Sequence, residues 1–122
     1  MAAAAGGAIG AAARFLVNVA ALQAFGPAFP VATLTVNVVG SFLMGVVVAT
    51  SGAVFDGSPS WRTFLATGVL GGFTTFSAFS LDAVELVQRQ QHALAAVYVG
   101  ASVALSIAAL VAGLAVSKVF LR

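Results

Sequence analysis

The side chains of this chain that could do chemistry are mostly neutral hydrogen-bonding groups. The densest run of them is Gly71-Gly72-Phe73-Thr74-Thr75-Phe76-Ser77-Ala78-Phe79-Ser80. Two adjacent glycines followed by two β-branched threonines make a poor helix interior, so a helix crossing this run is expected to break. Inside an apolar medium a break exposes carbonyls of the first half-helix and N–H groups of the second, and lipid satisfies neither. Free carbonyls at a half-helix C-terminus suit a small cation, and the facing N-terminus favours an anion. A packing kink with threonine hydroxyls bonded back to the helix fits the same pattern, and both readings stay open here. Past the break, Phe76 and Phe79 are three apart and share a helix face, flanked by Ser77 and Ser80. Spacing alone fits lipid-facing or core rings; the positive edge of an aromatic ring also allows a contact with an anion.

Other polar positions are fewer. Asn37 carries a neutral amide that can replace water around an anion or equally tie two helices together. Tyr98, Ser102 and Ser106 recur every four residues, which puts their hydroxyls in a stripe ~12 Å long on one helix face. Such a stripe can line an anion path, or its serines can bond to the preceding turn's carbonyls. Arg14 lies deep in an apolar stretch, where a guanidinium is a functional hypothesis by default. It can draw anions to a pore mouth, and it can also snorkel to an interface. Asp82, Glu85 and Arg89 close the apolar stretch that contains the break, and Glu85–Arg89 has the favourable i,i+4 order of an interfacial pair. Enzymatic readings fare poorly. There is no plausible Ser/His/Asp grouping, no phosphate-binding glycine loop with its lysine and no HExxH helix. With no cysteine and a single histidine, His92, thiolate and histidine-rich metal sites are also excluded.

The elements that must position these residues follow from composition. Of 122 residues 61% are hydrophobic and 7% charged, and the mean hydropathy is +1.13. Five basic and three acidic residues cannot cover the surface of a soluble domain, in which about a quarter of residues are charged, so the surface faces lipid. The basic residues form no patch, so the pI near 10.0 reflects membrane topology and not nucleic-acid binding. Four apolar stretches, roughly 3–25, 31–52, 61–88 and 93–117, are each long enough for the ~20 helical residues that cross a bilayer. The expected fold is all-α, a single four-span membrane domain over 1–122 with the third span broken near the bilayer midplane, ~15 Å along from Trp61. Pro27, Pro30 and Pro59 fall at the boundaries, and Ser58-Pro59 reads as an N-cap followed by proline at the first helical position. MAAAAGGAIG lacks the basic segment of a signal peptide, so the first stretch is expected to be a retained span. Short loops imply antiparallel neighbours, with both termini on one side. Basic residues are modestly biased toward that side, with Arg62, Lys118 and Arg122 against Arg89. Four thin helices enclose little volume, so self-association is expected. Asn37, Ser41 and Gly45, with Gly40 alongside, form a small-residue surface suited to it.

Three segments, GGAIGAAARF, TLTVNVVGSFLMG and GGFTTFSAFS, resemble in order and spacing the signatures of the Fluc (CrcB) fluoride channels, and the likeness runs over essentially the whole chain. The resemblance implies a homodimer of oppositely oriented subunits in the lipid bilayer, with two fluoride pores and a structural sodium ion at its centre. It implies backbone carbonyls of Gly71 and Thr74 as the sodium ligands and Phe76 and Phe79 as the aromatic pair lining the pores. Asn37 matches the pore asparagine, and Ser77, beside the aromatic pair in the same signature, is placed with them on the ion pathway. Tyr98, Ser102 and Ser106 match the fourth-span polar track, and Arg14 the arginine of the first signature, at the vestibule. Ala78 stands where family members often carry threonine, and Asp82 where glutamate is common.

Fluoride is small and strongly hydrated, so a selective path must offer donors that replace its water without a charge that traps it. The function expected is passive, fluoride-selective conduction that exports the ion from the cytoplasm across an inner or plasma membrane. The rival is a small proton-coupled multidrug exporter, also a four-span dimer. Such a protein needs a membrane carboxylate, typically in span one, where this chain has Arg14 and no acid. A non-transporting membrane subunit leaves the break and the hydroxyl stripe unexplained.

Overall fold

A computed structural model of the chain describes residues 1–54 and 59–120. Helix α1 runs Ala2–Phe25 and α2 Val31–Val54; α3 covers residues 59–73, α4 Phe76–Gln88 and α5 His92–Phe120. Taken with α3 and α4 as one span, Pro59–Gln88, four helices are long and apolar enough to cross a membrane. At 1.5 Å per residue the 24 residues of α1 reach ~36 Å, more than a ~30 Å hydrocarbon core. Large side chains such as Phe15, Leu16, Ile107 and Phe120 are exposed, as lipid contact allows. The Ser58 cap falls outside the described residues; Pro59 does open α3.

Backbone-to-backbone packing holds the spans together. α1 lies against α3 through Gly6 and Gly10 on one side and Gly68 and Gly72 on the other. A Cβ on Gly72 would sit 2.6 Å from the Gly7 carbonyl oxygen, and one on Gly10 would strike the Val69 carbonyl. α2 lies against α5 in the same way, with Gly45 on the Leu110 carbonyl and Gly113 on the Phe42 carbonyl. These approaches are possible only without side chains, the usual device where lipid removes the hydrophobic drive between helices. Gly40 and Gly45, expected on a self-association surface, are therefore used inside the protomer: Gly40 receives the Thr74 methyl and Gly45 the α5 backbone.

α3 is not uniformly α-helical, since Thr63–Leu70 is wound as a π-helix. Nor do its glycines interrupt it: Gly71 is helical (φ −63°, ψ −37°), and the extended residues are Thr74 (φ −84°, ψ 159°) and Thr75 (φ −155°, ψ 123°). The two glycines serve close packing and an open face, and the β-branched pair after them leaves the helix, because β-branched residues accept extended φ/ψ readily.

Candidate functional site

Thr74 and Thr75 lie near the middle of the 30-residue third span, and the chain stitches most of the backbone groups they release. The Thr74 N–H and hydroxyl both donate to the Leu70 carbonyl, at 3.0 and 2.9 Å. Arg14 Nε donates to the Gly72 carbonyl at 3.2 Å. Asn37 acts as a substitute peptide: its Oδ1 accepts from the Thr75 N–H at 2.8 Å and its Nδ2 donates to the Thr75 carbonyl at 3.0 Å. Thr75 then caps α4 by accepting the Ala78 N–H on its hydroxyl at 3.2 Å, an ordinary N-cap.

What remains unmet defines the chemistry available. Among the described residues the carbonyls of Gly71, Phe73 and Thr74 receive no hydrogen bond, and the N–H groups of Phe76 and Ser77 donate none. Gly71 loses its helical partner because the Thr75 N–H four residues on is turned to Asn37. Carbonyl oxygens of this kind are hard, neutral ligands that suit a monovalent cation. No group of three or more His, Cys, Asp or Glu capable of holding a metal occurs among the described residues. Gly71 and Thr74 thus have the donor chemistry that a sodium ion requires, with two carbonyls from one copy of the chain.

On one side of the break an open groove of about 450 Å³ collects six of the residues expected to bind or conduct ions: Asn37, Thr74, Phe76, Phe79, Ser102 and Ser106. No charged side chain lines it. The Phe76 and Phe79 rings lie 5.5 Å apart, tilted by 45°, and Phe76 is 79% exposed. Ser102 is buried, and its Oγ has no hydrogen-bond partner, although the turn before it offers carbonyls. An orphaned hydroxyl costs about 1–3 kcal/mol, and sites that tolerate this commonly serve function.

The other residues fall elsewhere. Tyr98, fully buried, leaves the stripe of Ser102 and Ser106: its hydroxyl donates to Asp82 Oδ2 at 3.1 Å, and its ring packs on Phe79 at 5.3 Å and edge-on to Phe29 at 5.6 Å. It supports Phe79 from behind and does not line the groove. Ser77 is exposed beside the break, 3.3 Å from the Thr75 hydroxyl. Arg14 lines a different cavity, of about 290 Å³, on the opposite side of the break with Asn18, Thr33, Thr75 and Asp82. That cavity shares Asn18, Ala32, Thr33 and Asp82 with one of about 190 Å³ that reaches Glu85 and Arg89. Thr75 lines both the groove and the Arg14 cavity, so the break, clamped by Asn37, is the wall between them. Asn18 and Thr33 were not singled out from sequence. The available signal was the i,i+4 spacing of Arg14 and Asn18, which puts two polar groups on one face of an apolar helix.

Residues 1–114 match the family model described as CrcB-like protein, Camphor Resistance (CrcB). A protein of Cereibacter sphaeroides, described as fluoride-specific ion channel FluC, is 61% identical over 110 residues, covering 90% of this chain and 86% of its own length. Proteins of the same description from Agrobacterium fabrum and Caulobacter vibrioides are 53% identical over 113 residues and 51% identical over 116 residues. These alignments cover 93% and 94% of this chain, and 90% and 91% of the relatives.

Proposed function

Since the chain belongs to the CrcB family, we propose that it is a fluoride channel, and that it works passively to lower cytoplasmic fluoride. The family is one of ion channels and not of enzymes. The observation that carries the mechanism is the groove, where the Asn37 amide, three serines, two threonines and two phenylalanine rings meet without a single charge. A hydrated anion needs each lost water replaced by a donor. Ser102, with its hydroxyl unengaged, and the Phe76 and Phe79 edges offer this without a cation that would hold the ion. On the far side of the break, Arg14 raises the local concentration of anions in a cavity wide enough for water.

The groove is open along one side, where Met44, Val103, Ile107 and Leu110 present apolar surface. In this proposal a second copy in the opposite orientation closes it, giving a dual-topology homodimer with two pores in an inner or plasma membrane. A structural sodium ion bound by the Gly71 and Thr74 carbonyls of both copies would neutralise the two half-helix C-termini and hold the breaks together; it supplies charge and takes no part in conduction. A proton-coupled exporter is disfavoured, since α1 holds no acid and Arg14, its one charged side chain, is bonded to the Gly72 carbonyl.

The test is fluoride efflux from liposomes carrying purified protein, read with a fluoride electrode beside a chloride control. Rapid fluoride release with little chloride release is expected. Release should fall at least tenfold in Phe76→Ile and when sodium is replaced on both sides by N-methylglucamine. Folded dimeric protein that releases no fluoride in sodium would end the channel reading, and undiminished release without sodium would end the sodium proposal alone.

A further inference from the structure

Asn18 is an exposed polar side chain of α1 that lines both cavities on this side of the break, and no hydrogen bond among the described residues involves its amide. It stands seven residues before the end of α1, ~10 Å of helix rise inside the span. An unpaired amide at that depth is tolerated where water reaches it, and polar groups inside a membrane segment mark pathways. Two cavities meet along Asn18, Ala32, Thr33 and Asp82: the outer one reaching Glu85 and Arg89, and the inner one reaching Arg14 and Thr75. Of the polar groups at that junction, Asp82 accepts the Tyr98 hydroxyl. Asn18 is left with two uncommitted donors, one helical turn from the guanidinium.

Resting on the channel reading above, we propose that Asn18 is a specificity-determining residue of the approach to the pore. Its amide is the first donor that replaces water on a small hard anion, at the neck between the two cavities, and it passes the ion one turn inward to Arg14. A neutral amide suits this step. It favours the anion over a cation against the Asp82 and Glu85 carboxylates nearby, and it releases the ion again.

The experiment uses full-length protein in liposomes, with fluoride itself as the probe. Flux is measured at low and saturating fluoride, in low and high concentrations of an impermeant salt, for wild type, Asn18→Ser, Asn18→Ala and Asn18→Asp. At low fluoride and low ionic strength Asn18→Ala should conduct roughly threefold less, the loss of one ordinary hydrogen bond. Asn18→Asp, with a charge facing the ion, should conduct roughly tenfold less. Asn18→Ser, which retains a donor, should stay near wild type. The Asn18→Asp deficit should shrink at ~1 M salt, where the Debye length falls to ~3 Å, and all variants should converge at saturating fluoride. Variants that conduct like wild type, or that fall by one factor at every fluoride and salt concentration, would overturn the inference and leave the channel reading intact. A wild-type protein that does not conduct would remove that reading first.

Discussion

Replacing Asn37 with alanine tests the clamp on the broken span. The substitution deletes two hydrogen bonds, of 2.8 and 3.0 Å, that meet both backbone groups of Thr75. Side-chain hydrogen bonds between membrane helices measure about 0.6 kcal/mol on average and up to about 1.7, because the reference state also finds partners. Two bonds therefore contribute about 1–3 kcal/mol. The upper half of that range is expected, since a buried donor or acceptor left unmet costs more than the bond was worth. The effect on conduction should be larger than on stability. Thr75 is the wall between the groove and the Arg14 cavity, and it caps α4 from the conformation that Asn37 holds. Fluoride efflux should drop at least tenfold, while thermal unfolding in detergent shifts by the modest amount above. Asn37→Asp separates the two bonds: it keeps an acceptor for the Thr75 N–H but sets an oxygen against the Thr75 carbonyl, so it should be no better than alanine. The reasoning is refuted if Asn37→Ala conducts within twofold of wild type, or if Asn37→Asp restores conduction.

Ser102→Ala removes a buried hydroxyl that has no partner, so melting temperature should hold or rise while fluoride flux falls several-fold. A drop in melting temperature would mean that the hydroxyl is bonded in the folded protein. Gly10→Ala drives a methyl into the Val69 carbonyl and within 2.8 Å of the Phe73 nitrogen, rigid backbone on both counts. Overpacking of this sort costs about 1–3 kcal/mol, and it pushes α1 away from the break. Gly7→Ala, which meets nothing within 4 Å, is the control and should leave melting temperature and flux unchanged.

Four spans could be read from sequence because lipid demands long apolar runs, and here short loops separate them; the structure places α1, α2, α3–α4 and α5 over those runs. The groove was also legible in its parts. Asn37, Phe76, Phe79, Ser102 and Ser106 come together because helical spacing had already put each set on a common face. Periodicity failed where hydrogen bonds across elements decide the outcome. Tyr98 shares the spacing of Ser102 and Ser106, yet Asp82, from another helix, draws its hydroxyl away. The break falls inside the run marked from sequence, at Thr74-Thr75 and not at Gly71-Gly72, since α1 provides a glycine surface that holds Gly72 in a helix. No local signal announced the π-helical turns of Thr63–Leu70, which bring Gly68 against Gly6.

The same accounting of donors and acceptors divides the labour around the break. A half-helix C-terminus carries roughly half a negative charge, concentrated on its unmet carbonyls. α3 ends with four carbonyls to satisfy: Leu70 is answered by Thr74, Gly72 by Arg14, and Gly71 and Phe73 by nothing among the described residues. Left alone, that cluster would repel an anion from the very point where the groove and the Arg14 cavity come closest. Arg14 offsets part of the charge from the cavity side, as a cation fixed to the carbonyl it serves. The rest lies on Gly71 and Phe73, and of these Gly71 is exposed, its Cβ position open apart from one contact, at 3.6 Å, with the Ala66 carbonyl. The sodium ion proposed above, shared with a second copy at the open side of Gly71, would offset that charge. In the channel proposed above, neutral donors in the groove would let the anion move, and Arg14 with a shared cation at the break would keep the backbone from turning it away.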